Sequence, residues 1–240
     1  MPALSAAMLL VVSCSSGQHD QVIVSAAASL TVPFMALEAE FEAAHPGTDL
    51  VLNLAGSPVL RDQILEGAAV DVFASAAPVH VAAIVDAGMA GSSPVPFAFN
   101  QMQLAVPAGN PGGVRGVEDL GRDDLLVGLC ASGVPCGDLA EEILARAGVV
   151  AAPDTREADI RALLTKLKAG ELDVALVYSS DVVTSGEALD SIPLPAGVGG
   201  ETVYQIVQVA GADPLAAEFI GLVLSDRGRA VLAESGFGLP

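Results

Sequence analysis

The amino-acid sequence predicts an α/β fold in two lobes, each built on a mixed, mainly parallel sheet flanked by helices. Two observations predict this class. From residue 22 onward, short apolar runs typical of strands alternate with helical patterns. In addition, 52% of the residues are hydrophobic and only 16% are charged, so the 240-residue chain can bury a large core. This length suits one large domain or two lobes of ordinary size.

The strands are predicted from apolar runs bounded by turn residues. We expect them at residues 22–24, 49–54, 71–74, 102–106, 125–129, 173–178 and 202–209. The strands near residues 103 and 204 are the natural places for the chain to leave the first lobe and return. We therefore assign residues 21–102 and 206–240 to lobe 1 and residues 103–205 to lobe 2. Two crossings leave a cleft between the lobes, where small ligands usually bind.

The helices are predicted from apolar residues three or four positions apart and from residues that begin or end a helix. The first is expected to bury Phe34, Leu37, Phe41 and Ala44. Further helices are expected to begin at Ser57, Pro78, Cys136, Asp159, Asp213 and Ser225. Ser29 and Ser57 each place a hydroxyl at a helix start, where free N–H groups and the helix dipole favour an anion.

Residues 1–20 are predicted to be a lipoprotein signal and tether. Residues 3–12 are apolar and too short to span a membrane, but their length suits the hydrophobic region of a signal peptide. Val11, Val12 and Ser13 precede Cys14 as in a bacterial lipobox, although no Lys or Arg precedes the apolar run. We expect Cys14 to carry a lipid that anchors the protein outside the cell membrane, on its periplasmic side. The alternative is a frayed apolar N-terminus with an incidental cysteine.

The two remaining cysteines, Cys130 and Cys136, are six positions apart in a chain expected to be exported, and we expect a disulfide between them. A metal pair or two free thiols are the alternatives. A metal site would need further His or Cys ligands nearby, and His19, His45 and His80 are scattered. We therefore expect neither a directly bound metal nor a cofactor.

The net charge of −19 argues against nucleic acid as a partner and against binding to an anionic membrane surface. It also repels anionic ligands, but salt screens that repulsion within about 10 Å at about 0.1 M, so short-range donors can still bind one. The sequence contains no nucleophile elbow, Walker loop or dinucleotide fingerprint. We therefore expect a binding protein rather than an enzyme.

Five segments, in order, resemble the substrate-binding proteins of molybdate ABC importers. They are residues 25–30, 55–57, 134–137, 159–161 and 177–181. Residues 67–76 are similar to the family's segment after the helix that begins at Ser57. The likeness covers nearly everything from Val22 to Phe237, although Pro58 and Cys136 differ from the residues expected in every relative.

This resemblance implies a type II periplasmic-binding-protein fold and a protein that delivers molybdate, and also tungstate, to the permease of an ABC transporter. It implies ligand contacts from the hydroxyls of Ser29, Ser57 and Tyr178 and from the backbone N–H groups of Cys136 and Ile160. These groups are donors, which suit a dianion that carries no proton. We expect molybdenum to be bound only as its oxyanion, and the protein to be a monomer.

Other functions remain open on the sequence alone. The ligand could be another oxyanion such as sulfate, or it could be a sugar acid or ferric ion. Two tyrosines and scattered histidines suit iron poorly. A hydrolytic α/β enzyme and an adhesion lipoprotein are further alternatives. The site residues also have structural interpretations: Ser29 and Ser57 as helix caps, Tyr178 as a strand residue with its hydroxyl in solvent, and Arg161 and Asp181 as surface or supporting groups.

Overall fold

The computed structural model describes residues 20–240, so Cys14 and the predicted signal lie outside the described residues. The strands are β1 (Asp20–Ala27), β2 (Thr48–Ala55), β3 (Val72–Ser75), β4 (Val95–Pro107), β5 (Val127–Cys130), β6 (Thr155–Glu157), β7 (Val174–Tyr178), β8 (Leu189–Ile192) and β9 (Glu201–Gln208). The helices are α1 (Thr31–Ala44), α2 (Ser57–Leu65), α3 (Pro78–Asp86), α4 (Pro135–Ala147), α5 (Ile160–Lys168), α6 (Ser179–Ser185), α7 (Leu215–Leu224) and α8 (Asp226–Glu234). Together they confirm the predicted mixed α/β class.

The strands form one continuous sheet in the order β2-β1-β3-β9-β4-β7-β5-β6, with β8 also paired to β4. Strand β4 lies in the middle of this sheet and belongs to both of its halves, because residues 95–101 pair with β9 and residues 102–105 pair with β7. We call β1, β2, β3, β9 and residues 95–101 the first half-sheet, and β5 to β8 with residues 102–107 the second half-sheet. The pairs β1–β2, β1–β3, β5–β6 and β5–β7 are parallel, and the pairs made by β4 and β9 are antiparallel.

The core follows from the alternation of side chains along the strands. In the first half-sheet, Val22 and Val24 pack on one face with Phe34 of α1 and Phe219 of α7. On the other face, Phe73 and Val207 pack with α2 and α3, through Leu60, Ile64, Val81 and Ile84. A third cluster fills the second half-sheet and includes large aliphatic side chains of α4 and α5, among them Leu139, Ile143, Leu144, Leu163, Leu164 and Leu167.

Some predicted boundaries are wrong. Strand β4 begins at Val95, seven residues before the predicted start. Pro96 does not end the strand, because it lies at an irregularity in the pairing with β9. Ala44 is exposed, since it lies in the last turn of α1. The short elements β6, β8 and α6 were not predicted. Among residues 20–240, no helix is both long and apolar enough to cross a membrane.

Candidate functional site

All five residues predicted to bind a ligand lie around the same cavity. The first half-sheet lines it with the segments that follow β1, β2 and β3, and the second lines it with the starts of α4 and α5 and the end of β7. Its lining residues are Ala27, Ala28, Ser29, Gly56, Ser57, Ala76, Val134, Pro135, Cys136, Asp159, Ile160 and Tyr178. The cavity volume is about 20 Å³, slightly more than one water molecule needs. The site therefore suits a small ligand rather than a peptide or an oligosaccharide.

The first half-sheet contributes two serine hydroxyls. Ser29 lies in a 3-10 turn between β1 and α1, and Ser57 is the first residue of α2. The N-cap residues are Leu30 and Gly56, and neither serine makes a capping hydrogen bond, so the helix-cap interpretation is wrong. Instead, the Ser57 oxygen accepts a hydrogen bond of 3.1 Å from the Ala76 N–H. The hydroxyl hydrogen of Ser57 is thus left for the cavity.

The second half-sheet contributes backbone N–H groups at two helix starts. Cys136 is the second residue of α4 and Ile160 is the first residue of α5, and the first N–H groups of a helix have no partner within it. The Asp159 carboxylate caps α5, as predicted, by accepting hydrogen bonds from the N–H groups of Arg161 (2.8 Å) and Ala162 (3.0 Å). This cap does not use the N–H of Ile160, which lies beside the cavity.

A disulfide joins Cys130, the last residue of β5, to Cys136. The chain also passes very close to itself here, because a Cβ atom on Gly137 would lie 1.9 Å from the carbonyl oxygen of Ala131. No residue larger than glycine fits at position 137 without moving the backbone. The position of the Cys136 N–H is therefore fixed both covalently and by packing.

Tyr178 lines the cavity and carries a buried, unpaired hydroxyl. Its side chain is 1% exposed, and its hydroxyl has no hydrogen-bond partner among residues 20–240. The interpretation with the hydroxyl in solvent is therefore wrong. Burial raises the pKa of Tyr178 well above its ordinary range, helped by the nearby Tyr204 and Asp181, so the hydroxyl keeps its hydrogen at neutral pH. A buried hydroxyl without a partner costs about 1–3 kcal/mol, which a ligand in the cavity can recover.

Asp181 supports the backbone of Tyr178. Its carboxylate accepts a hydrogen bond of 2.9 Å from the Tyr178 N–H at the start of α6. Asp181 is buried and not at the surface, and burial raises its pKa to about 7, although that hydrogen bond and the charges of Lys168 and Arg161 oppose the rise. The side chain of Arg161 is exposed, as a surface group would be.

Behind Ser29 lies a polar network that the sequence analysis did not identify. The Ser29 and Tyr204 hydroxyl oxygens are 2.8 Å apart, and the Asn100 amide nitrogen lies 3.5 Å from the Tyr204 oxygen. The same amide group bonds to Ser179 and Ser180. The one signal available in the sequence was a polar asparagine next to the strand predicted at residues 102–106.

The lining is rich in groups that can donate a hydrogen bond. Of the described residues, no Lys or Arg lines the cavity, and the one charged lining residue, Asp159, uses its Oδ1 oxygen to accept two helix N–H groups. Such a site can bind a small oxyanion through charge-assisted hydrogen bonds and helix N-termini. Among residues 20–240, no group of three or more His, Cys, Asp or Glu side chains is placed to hold a metal ion.

Comparison with known proteins agrees with this fold. The structure superposes on the Azotobacter vinelandii periplasmic molybdate-binding protein with a TM-score of 0.79 at 18% identity, over 91% of this chain and 99% of that one. It superposes equally well on the sulfate-binding protein SubI from Mycobacterium tuberculosis, with a TM-score of 0.80 at 18% identity, over 91% and 86%. At such low identity these likenesses show the fold alone, and they confirm the predicted periplasmic-binding-protein fold.

Sequence similarity is more specific. The molybdate-binding protein ModA of Mycobacterium tuberculosis is 34% identical over 221 residues, which are 91% of this chain and 85% of that protein. Residues 22–238 match the family model described as bacterial extracellular solute-binding protein. The family is made up of binding proteins rather than enzymes. Because the match spans nearly the whole described chain, the protein belongs to the bacterial extracellular solute-binding proteins.

Proposed function

We propose that the protein captures molybdate, and also tungstate, outside the cytoplasm and delivers it to the permease subunits of an ABC transporter. One observation carries the proposal: Ser29, Ser57, Cys136, Ile160 and Tyr178 all line the same small cavity. We assign the ligand contacts to the three hydroxyls and to the backbone N–H groups of Cys136 and Ile160. Within the described chain, the Tyr178 hydroxyl there lacks any other partner. An oxyanion without a proton supplies acceptors to every one of these donors.

The choice of molybdate over sulfate rests on sequence rather than fold. The 34% identical relative is a molybdate-binding protein, whereas the fold matches the sulfate-binding and molybdate-binding proteins equally well. Both anions are unprotonated dianions at neutral pH, so only their size can separate them. Donors held by helix starts and by a strand end cannot contract cheaply around the smaller sulfate.

The remaining parts of the proposal concern the whole chain. We take residues 21–102 with 206–240 and residues 103–205 as two lobes that close on the ligand, with boundaries inside β4 and β9. The protein acts as a monomer, without a cofactor and without catalysis, and binds molybdenum only as its oxyanion. A lipid on Cys14 anchors it outside the cell membrane, which agrees with the extracellular family to which it belongs.

Calorimetric titration of the purified protein with molybdate, tungstate, sulfate and phosphate tests the ligand. We expect molybdate and tungstate to bind with similar affinity, and sulfate and phosphate to bind far more weakly. Phosphate is disfavoured because its proton finds no acceptor among the five assigned donors, at a cost of about 1–3 kcal/mol. Sulfate binding within about tenfold of molybdate would refute the assignment.

Serine substitutions test the site itself. Ser29→Ala and Ser57→Ala are each expected to weaken molybdate binding by about 1.5–3 kcal/mol, the range for a hydrogen bond to a charged partner. Ser93→Ala is the matched control, because Ser93 is exposed and does not line the cavity. Unchanged affinity in both site variants would contradict the assigned contacts.

A further inference from the structure

We propose that Asn100 and Tyr204 fix the direction of the Ser29 hydroxyl, so that Ser29 can only donate to a ligand and offers no acceptor to an anion that carries a proton. Neither residue lines the cavity, so both are positioning residues that act through Ser29. The proposal rests on the proposed function, since it concerns the same cavity. It adds the reason why the site has a fixed polarity.

The orientation of these hydrogen bonds is set by the side-chain amide of Asn100, a residue of β4 that is 1% exposed. The backbone N–H of Ser180, which can only donate, lies 3.4 Å from the Asn100 amide oxygen, and the Ser179 hydroxyl donates to the same oxygen at 3.1 Å. The amide nitrogen therefore points the other way. It donates to the Ser180 hydroxyl at 2.7 Å and to the Tyr204 oxygen at 3.5 Å.

Tyr204 links Asn100 to Ser29, because its hydroxyl accepts from one and donates to the other. Its side chain is completely buried, and its oxygen already accepts from Asn100. Two further hydroxyls lie near it within residues 20–240: the Ser29 oxygen at 2.8 Å, and the Tyr178 hydroxyl, which makes no hydrogen bond of good geometry with it. If Ser29 were the donor, the phenol hydrogen would be buried without an acceptor, which is unfavourable. Burial also raises the pKa of Tyr204 above its ordinary range, so this hydrogen is present at neutral pH.

Ser29 therefore accepts from Tyr204 and keeps its own hydrogen for the cavity. Ser57 has the same polarity for a different reason, because its oxygen accepts the Ala76 N–H at 3.1 Å. Both serine oxygens are thus occupied from behind, and both hydroxyls present a hydrogen to the ligand. Molybdate, tungstate and sulfate match this polarity, whereas phosphate at neutral pH brings a hydrogen that neither serine oxygen can accept.

Tyr204→Phe tests the proposal, because it removes the hydroxyl and keeps the ring that packs edge-on against Phe97 and Phe237. Without the phenol hydrogen, Ser29 can rotate and accept a hydrogen from phosphate. We expect the ratio of sulfate affinity to phosphate affinity to fall by about tenfold, while molybdate binding weakens severalfold. Since sulfate and phosphate bind weakly, their affinities are read from thermal-shift titrations extended to high anion concentration.

Tyr178→Phe is the matched control. It deletes the same atom from a tyrosine that faces the ligand directly, so both affinities should fall by a similar factor and their ratio should stay constant. Asn100→Asp is a second route to the same outcome, because a carboxylate accepts the Tyr204 hydrogen and releases Ser29. A ratio that stays at the wild-type value in Tyr204→Phe and in Asn100→Asp, or that falls as much in Tyr178→Phe, overturns the proposal. Failure of the wild type to bind molybdate counts against the proposed function alone, because the sulfate-to-phosphate ratio is measured without molybdate.

Discussion

The two half-sheets line the cavity with different kinds of donor. The first contributes the side-chain hydroxyls of Ser29 and Ser57, whereas the second contributes the backbone N–H groups of Cys136 and Ile160 together with the Tyr178 hydroxyl. A hydroxyl can be deleted by one substitution, but a backbone donor can only be displaced. The donors of the second half-sheet are therefore best studied through the groups that hold its backbone in place.

The supporting groups differ in the same way. Behind Ser29 the support is neutral, through Tyr204 and Asn100. Behind the second half-sheet's donors it is ionisable or covalent, through Asp181, the Asp159 cap and the disulfide. Among the described side chains, residues 21–240, Asp181 is the one buried acidic group. Conditions such as pH and reduction should therefore act on the site mainly through the second half-sheet.

The largest expected effect is on the pH dependence of stability, through Asp181. Its pKa is raised to about 7 in the folded protein from an ordinary value of 3.8. The folded state therefore holds a proton that the unfolded state has released, so this contribution to stability is present below about pH 4 and is lost as the pH rises to about 7. Asp181→Asn stays neutral and keeps an oxygen for the Tyr178 N–H. We expect it to raise the free energy of unfolding by about 2–4 kcal/mol at about pH 8 and to have little effect near pH 4.

Chemical denaturation across this pH range measures the difference between the variant and the wild type. Asp123→Asn is a suitable control, since Asp123 is exposed and the same charge is removed. The comparison between the half-sheets fails on this point if Asp181→Asn and Asp123→Asn change stability equally at every pH.

The second expected effect concerns the disulfide between Cys130 and Cys136. Closing so short a loop stabilises the fold by about 2–3 kcal/mol in the loop-entropy model. Because the bond also holds the start of α4, its loss should displace the Cys136 N–H from the ligand. We expect reduction to weaken molybdate binding strongly and to lower the melting temperature of the ligand-free protein only modestly.

The Cys130→Ala/Cys136→Ala double variant provides the control for reduction. It should bind as weakly as the reduced wild type and should not respond to reductant. Free thiols in the native exported protein, or unchanged affinity after complete reduction, would show that the disulfide does not position the Cys136 N–H for the ligand.

Sequence patterns were sufficient to predict the longer helices and strands, which bury several side chains. Motifs indicated which five residues share the cavity. The supporting network was out of reach, because Ser29 and Tyr204 are 175 positions apart and meet only when β9 lies beside β3. Helix starts were predicted to within two residues, but such shifts change which group caps the helix. Taking Ser57 as the cap hides that its oxygen accepts from Ala76, which follows β3. Long-range strand pairing decides such contacts, and a single sequence does not display it.

The smallest expected effect tests whether the half-sheets must approach as closely as the structure shows. Gly56 precedes Ser57, and a Cβ atom there would lie 2.8 Å from the carbonyl oxygen of Ala158, two residues before Ile160. The backbone angles of Gly56 (φ −60°, ψ 135°) are ordinary for alanine, so the added methyl meets no local strain. The methyl instead separates the segments that carry Ser57 and Ile160. We expect Gly56→Ala to weaken molybdate binding by about 1–3 kcal/mol, the usual cost of overpacking.

Calorimetry measures this loss of affinity. Thermal melting of the ligand-free protein shows whether the methyl also destabilises the protein without ligand. If the two half-sheets can separate without ligand, the methyl is accommodated in the open form, and the ligand-free melting temperature should change little. Gly221→Ala is the control, because a Cβ there meets no atom within 4 Å and an exposed helical alanine should leave binding unchanged. Wild-type affinity in Gly56→Ala would mean that the ligand does not need the Ser57 and Ile160 segments this close together. The side-chain donors of one half-sheet and the backbone donors of the other would then act independently rather than as one enclosing site.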